Sequence, residues 1–345
     1  MSYNDLQKGI YILHENPEWI PPFREAFSRA EVEFGEIILT QGSIDIDREP
    51  PQGVFWSRIS ASSHTRDNAF SKEYGRSILS WLESHNRRVI NPSSVLELEV
   101  SKVRQYLALS RAGFRTPKTI AVFGKATLLE QAKGLKTPFI TKHNQGGKGL
   151  GVRRFDSYEE FADYVQSSEF EAPIDGVTLL QEYVRSKELF ITRLEFIGGR
   201  FHYAVRVDTS GGAFKLCPAD ACAIEEASTK SQILPELAGA ACDISGGGVS
   251  KFSLREDISE DTPLVKQLEE FLKLHKIEVA GVEFIETKEN ERGEGEIVVY
   301  DINTNTNYNK VVEDTLRAQG KQAASDRIVE FLSEQLQKIS SKQTA

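Results

Sequence analysis

Lys142 ends an apolar run, PFITK, and the segment HNQGGKGLGV follows at once. Gly146, Gly147, Gly149 and Gly151 carry no Cβ, so their backbone N–H groups can close on an anion. A lysine at a strand end sets a fixed positive charge beside that cradle, and the two together suit a polyphosphate. The spacing is not that of a Walker A loop, which needs a GK[ST] opening a helix. A glycine-rich hairpin with surface lysines stays open as the alternative.

A second group of residues has the chemistry of a hard-cation site. Asp301 and Asn303 in IVVYDIN stand two residues apart, so in a strand both point to one face. Glu283 in AGVEFIE alternates with Val282 and Phe284 on a strand that can pair with the first. Three oxygen ligands on adjacent strands suit Mg²⁺, which keeps waters and phosphate oxygens as its other ligands. Solvent-facing side chains on a hairpin would also produce this pattern. Asp and Asn are poor strand formers, however, and their place at the end of a Val-rich strand favours the metal. Arg193 and Arg206 lie on nearby strands, and their alternation predicts that both cover the same cleft, where guanidinium groups grip phosphate. Taken singly, either arginine reads first as a surface ion-pair partner. Glu188, just before LFITRLEF, is a lone acidic candidate for a ribose hydroxyl.

These residues need elements to hold them. The first 97 residues alternate strand and helix and predict a small parallel sheet. Its strands are expected at Gly9–His14, Phe34–Thr40 and Val54–Trp56, with helices over Pro17–Ala30 and through Ile78, Trp81 and Leu82. This is a Rossmann-like pattern without a GxGxxG, so no dinucleotide site is expected. A second unit spans residues 98–182. In it Ser101 caps a helix with the stripe Val103, Tyr106 and Leu107, Gly113 suits the position after its end, and Ser157 with Glu160 forms a capping box. A third unit, 183–337, changes to longer, antiparallel strands: Leu189–Phe196, Arg200–Val207, Val279–Ile285 and Ile297–Asn303. Helices are expected around Gln232–Cys242, from Thr262 through Leu272, and through Ile328 and Leu336. Residues 338–345 read as a loose polar tail.

Composition limits the function classes. With 345 residues, 39% hydrophobic and 27% charged, the chain is a globular protein of two or three domains. No apolar run reaches membrane-spanning length, and the start has no basic segment followed by an apolar one, so a cytoplasmic location is expected. The net charge of -9 speaks against nucleic acid. The basic pairs Arg87–Arg88 and Arg153–Arg154 read as solvated surface. Cys217, Cys222 and Cys242 form no CxxC, which argues against disulfides or zinc, and packing is the expected role of Cys217 and Cys222.

In order along the chain, WSRISAS, SKVRQYLALSRAGFRTPKT, PFITKHNQGGKGLGV, LLQEYV, GVEFIE and YDINTNTN resemble the ATP-grasp superfamily, closest to the RimK-like glutamate ligases. The resemblance runs from about Phe55 to Asn303. It implies an ATP-grasp fold, both α/β and α+β: a Rossmann-like N-terminal lobe, a small central α+β lobe and a C-terminal antiparallel lobe, with ATP between the last two. It implies that Lys102 and Lys142 contact nucleotide phosphates under the loop of Gly146, Gly147 and Gly149. Gln181, Glu182, Tyr183 and Val184 would hold adenine, and Glu188 ribose. Glu283, Asp301 and Asn303 would bind one or two Mg²⁺, with Mn²⁺ as a substitute, and Arg206 would act with Lys142 on the transferred phosphate. The activity implied is an ATP-dependent carboxylate–amine ligase working through an acyl phosphate, with small-molecule or peptide substrates and a homo-oligomer open. A small-molecule kinase or a non-catalytic ATP-binding module is the competing reading. Three departures stand out: NTNTNYN where these enzymes read Asn-Ala-Ser-Pro-Gly, FKLCPADAC in place of an Arg/Asn/His-rich loop, and Glu283 where aspartate is usual.

Overall fold

The computed structural model describes residues 3, 6–7, 9–147, 149, 151–210, 250–288 and 295–343. The expected helix at Gln232–Cys242, the segment FKLCPADAC, all three cysteines and most of the 288–295 run lie outside them. The N-terminal part runs β1 (Ile10–His14), α1 (Pro21–Arg29), β2 (Gly35–Ile38), β3 (Val54–Arg58), α2 (Ser71–Ser84) and β4 (Arg88–Ile90). Its four strands are all parallel, in the order β2-β1-β3-β4. All five residues of β1, IYILH, are buried, as a parallel strand covered on both faces requires. The helix expected from Pro17 begins at Pro21, because Pro17–Trp19 closes only one 3₁₀ turn capped by Asn16.

Next come α3 (Ser93–Glu99), α4 (Lys102–Arg111), β5 (Thr119–Phe123), α5 (Leu128–Ala132), β6 (Phe139–His143), β7 (Arg153–Phe155), α6 (Tyr158–Gln166) and β8 (Val177–Glu182). The Ser101 and Ser157 hydroxyls accept from the N–H groups of Arg104 and Glu160, so both expected caps form. Gly113 takes a φ of 86° behind the end of α4. The sheet β5-β8-β6-β7 is antiparallel and has its own core of Val122, Leu128, Phe139, Phe161 and Leu180.

The C-terminal sheet, order β11-β10-β9-β12-β13, is built from β9 (Phe190–Ile197), β10 (Arg200–Asp208), β11 (Phe252–Leu254), β12 (Val279–Glu286) and β13 (Ile297–Asn303). It is antiparallel throughout. The helix α7 (Pro263–Leu274) covers one face together with Val95, Leu109 and Phe114, so α3 and α4 pack on this sheet rather than on the central one. The other face shares a core with β1, β3 and the last helix, which follows α8 (Lys310–Ala318) as α9 (Ala324–Gln343). Residues 338–343 are therefore helical, not a loose tail: Ile339 packs on that shared core one turn beyond Leu336. Arg87 and Arg88 are likewise no solvated pair. Arg87 donates to the carbonyls of Pro50 and Pro51, and Arg88 pairs with Glu278 of the C-terminal half at 2.7 Å. Among the described residues no helix is long and apolar enough to cross a membrane.

His202 in β10 carries a pH consequence. Burial, helped by Arg327, pushes its imidazole down to about 4. Between that value and the unfolded value near ~6.5 the unfolded chain binds a proton that the folded chain refuses, so stability rises with pH across this window. Urea titrations at pH 7.5 and 5 should differ by about 2 kcal/mol more in the wild type than in His202→Asn. Equal differences in the two proteins would show that His202 does not carry the effect.

Candidate functional site

The register of the C-terminal sheet decides which side chains meet. Glu283 stands opposite Asp301 on one side and Arg193 on the other, and Gly281 stands opposite Asn303 and Glu195. Directly opposed residues share a face, so Arg193, Glu283 and Asp301 form one row and Glu195 and Asn303 flank the next. Where a side chain would rise from Gly281, the Arg193 guanidinium lies instead: a Cβ there would meet Nε at 2.5 Å and Nη2 at 2.6 Å. Arg193 is held from three sides. Its Nε lies 2.7 Å from Glu195, its Nη1 donates to Glu283 Oε1 at 3.4 Å, and its Nη2 donates to the Thr306 hydroxyl. That hydroxyl in turn donates to Glu195 at 3.0 Å. Burial would lower the Arg193 pKa, but Glu195 and Glu283 raise it further, so the guanidinium stays charged.

The carboxylates are similarly engaged. Tyr300 donates its hydroxyl to Glu283 Oε2 at 2.8 Å; burial, and then Glu283 itself, push that phenol well above its usual pKa. Asp301 pairs with the Lys102 ammonium. Burial alone would raise the Asp301 pKa, yet Lys102 and Lys142 hold it below the ordinary range. Lys102 opens α4, and its N–H donates to the Asn144 carbonyl beside the glycine-rich loop. The helix is fixed to the exposed edge of β13 by Gln105, whose amide donates to Ile302 O and accepts from Ile302 N. Tyr106 adds a bond to Tyr300 O. These side chains replace the missing neighbour strand. Lys142 comes from the central sheet: its Nζ donates to the Tyr106 hydroxyl at 3.4 Å and lies 5.7 Å from the centre of the Tyr300 ring. Burial opposes its charge, but Tyr106 and Asp301 raise its pKa. Two lysines, one opening α4 and one from the central sheet, thus converge on Asp301.

Glu283, Asp301 and Asn303 are hard oxygen donors on two adjacent strands, and among the described residues the Asn303 side-chain oxygen accepts from Asn305 N–H at 3.1 Å. Asp301 is 21% exposed. Among the described residues no three His, Cys, Asp or Glu side chains cluster as a metal site. The available set, two carboxylates and an amide, fits Mg²⁺ sharing its shell with phosphate oxygens and water.

The glycine-rich loop is anchored to the N-terminal sheet's side. Gln145 donates to Ala61 O and accepts from the Lys72 ammonium, and a Cβ on Gly147 would lie 3.6 Å from Ser62 Oγ. Gly149 and Gly151 both take positive φ, and a Cβ on Gly151 would strike the His143 ring at 2.1 Å. Gly146 lies in the same loop. In the hinge, Gln181 donates to Thr119 and Glu182 accepts from Arg115 and from Lys118 N–H. Tyr183 lies 4.7 Å below the Arg154 guanidinium, and Val184 and the exposed Glu188 follow in the chain. A bridge between Ser186 and Thr287 ties this hinge to β12.

Arg206 does not join the cluster. It is opposite Thr192, while Arg193 is opposite Val205, so strand alternation sends the two arginines to opposite faces. Arg206 is exposed and lies 4.1 Å over the Phe190 ring. The expectation that both arginines cover one cleft therefore fails, and Arg193 is the arginine beside Glu283. Sequence reasoning also missed Arg58. It is 1% exposed in β3 and donates to the carbonyls of Trp19 and Thr306 and to Asn307 Oδ1. Burial pushes its pKa down to about 10. A charge closing the mostly apolar strand VFWSR was the available signal.

No protein-family profile matches the sequence. One curated relative, the alpha-aminoadipate–LysW ligase LysX of Sulfurisphaera tokodaii, is 30% identical over 107 residues, which cover 31% of this chain and 38% of that protein. The chain therefore spans well under half the length of that relative. Among solved structures, the RimK-domain ATP-grasp protein of Sphaerobacter thermophilus matches with a TM-score of 0.57 at 14% identity, covering 94% of this chain and 99% of that one. D-cycloserine synthetase DcsG matches with a TM-score of 0.57 at 17% identity over 95% of this chain and all of that one. The ATP-grasp ligase PsnB, solved with a precursor variant, Mg and ADP, gives 0.57 at 14% identity over 96% and 99%. The order of the sheets, the convergence of Lys102 and Lys142, and these full-length likenesses together establish that the chain has the ATP-grasp fold.

Proposed function

We propose that the chain is a Mg-ATP-dependent ligase that joins a carboxylate to an amine. The observation that carries this reading is the meeting of Lys102 and Lys142 at Asp301, opposite Glu283, in an ATP-grasp fold. LysX, PsnB and DcsG, which share that fold or part of the sequence, are named as ligases or a synthetase. In this reading Gln181, Glu182, Tyr183 and Val184 hold adenine and Glu188 takes the ribose. Lys102 and Lys142 neutralise the phosphates beneath the loop of Gly146, Gly147 and Gly149. Mg²⁺ on Glu283, Asp301 and Asn303 supplies further positive charge for the phosphate oxygens.

The substrate carboxylate attacks the γ-phosphorus, ADP departs, and the amine then displaces phosphate from the acyl phosphate to leave an amide. Charge develops on the transferring oxygens, and preset cations lower that barrier because they need no reorganisation. Closure of the glycine-rich loop over the phosphates would keep water from the acyl phosphate. Arg193, buried and bound to three groups, orients Glu283 rather than touching phosphate. Arg206 has no part in this mechanism.

The test is release of ADP and inorganic phosphate from Mg-ATP in the presence of pooled amino acids and short peptides. Equal, substrate-dependent amounts and a new amide mass are expected. ADP with a phosphorylated product and no free phosphate would mean a kinase instead. Lys142→Ala should slow turnover about 100-fold or more, since it removes a charge fixed beside the phosphates. An unchanged rate would reject its role.

A further inference from the structure

Glu99, Lys102 and Gln105 are spaced three residues apart and reach three residues at the end of β13. Glu99, the last residue of α3, is 8% exposed, and its Oε2 accepts from both the Thr304 N–H and the Thr304 hydroxyl at 2.8 Å. Lys102 pairs with Asp301, and Gln105 holds both backbone groups of Ile302. Asn91, just behind β4, adds a fourth tie. Its Nδ2 donates to Thr304 O at 3.2 Å and to Val279 O at 2.7 Å, and its Oδ1 accepts from the N–H groups of Glu278 and Val279. None of these four side chains belongs to the C-terminal sheet that they hold.

The residue enclosed by this frame is Asn303. A residue's two soft dihedrals turn the peptide planes on either side of it, and each plane is itself rigid. The plane before Asn303 is held at Ile302 O by Gln105, and the plane after it is held at Thr304 N–H by Glu99. With both planes fixed, the direction of the Asn303 Cα–Cβ bond is fixed too. That bond carries the amide assigned to the metal. A neighbouring strand would normally supply such bonds, but β13 is the edge of its sheet and ends at Asn303. A buried carboxylate is a costly group to spend on one threonine if packing were the only gain. Burial pushes the Glu99 carboxyl up, and Lys102 offsets part of that cost by pulling it down.

We infer that Glu99 is a positioning residue of the metal site: by holding Thr304 it sets the direction in which Asn303 offers its amide oxygen to Mg²⁺. This role rests on the site binding Mg-ATP. The test is calorimetric titration of the full chain with a non-hydrolysable ATP analogue, once with excess Mg²⁺ and once with EDTA. The ratio of the two affinities is the metal's contribution. Groups that hold a metal's ligands in place are worth about 10- to 100-fold in metal affinity, so Glu99→Ala should cut that ratio at least about 10-fold. The metal-free affinity should change less than about threefold, since no bond to nucleotide is lost. Glu99→Gln keeps an oxygen for the Thr304 N–H and should restore the ratio to within about threefold of wild type. Glu99→Asp keeps the charge but draws it back by one methylene, and should cost at least about fivefold. An unchanged ratio in Glu99→Ala or Glu99→Asp, whatever their melting temperatures, would make Glu99 a packing residue and overturn the inference. So would a glutamine variant as impaired as the aspartate one. Should the alanine variant not fold, the glutamine and aspartate pair still decides the matter. No difference between Mg²⁺ and EDTA in the wild type would instead remove the Mg-ATP reading, and the role of Glu99 with it.

Discussion

Asp301→Asn should reduce turnover about 1000-fold or more while leaving the fold in place. The amide keeps the size of the carboxylate and an oxygen that can accept from Lys102, so packing between α4 and β13 is undisturbed. What it loses is the charge that faces Glu283 and draws Lys102 and Lys142 together. Removing one preorganised charged group at a phosphoryl-transfer site typically costs 100- to 1000-fold, and here metal binding is lost with it. ADP release measured at saturating Mg-ATP checks this, alongside thermal unfolding of both proteins. Activity within about tenfold of wild type, with normal unfolding, would remove Asp301 from the chemistry.

The second large effect is expected at a residue with no functional group. Gly281→Ala places a Cβ within 2.5 to 2.8 Å of three atoms of the Arg193 guanidinium. A flexible arginine end could usually swing away at little cost. This one is 3% exposed and bound to Glu195, Glu283 and Thr306, so moving it strands two buried carboxylates. Overpacking costs about 1–3 kcal/mol and breaking a buried ion pair about 3–5, so a loss of about 2–4 kcal/mol of stability is expected. Activity should fall with it, because Glu283 loses the partner that orients it. Denaturant midpoints and ADP release together check the prediction. A variant with wild-type stability and turnover would show that Arg193 can relocate freely and holds nothing in place.

Much of the architecture was legible from pattern alone. The run GIYILH reads as a buried parallel strand because it is apolar without alternation, and the structure places it at the centre of the first sheet. Ser101, Gly113 and Ser157 mark helix ends because their side chains, or the lack of one, serve backbone groups only a few residues away. The strand IVVYDIN was found with both ends correct. Local signals fail where the partner is remote. Arg88 looks like surface charge beside Arg87 until Glu278, far along the chain, is brought to meet it. Ile339 looks like part of a polar tail until the shared core gives it something to cover.

The candidate site divides the same way. Residue types and spacing were enough to nominate Lys142 and the glycines for an anion, and Glu283, Asp301 and Asn303 for a cation, because hard charges and bare backbone have few other uses in such positions. That Asp301 and Asn303 share a face followed from the two-residue period of a strand. Which arginine joins them did not, since a period within each strand says nothing of the register between strands. Pairing Arg193 with Glu283 and Val205 was the decision of the folded sheet, and it sent Arg206 to the other side. Likewise Gly281 matters only because a guanidinium from the neighbouring strand fills the space above it. The sequence by itself determined the chemistry available to this protein. The tertiary structure alone decided which of those groups face one another, because opposed charges separated by many residues are brought within reach only by strand register and the packing of three sheets.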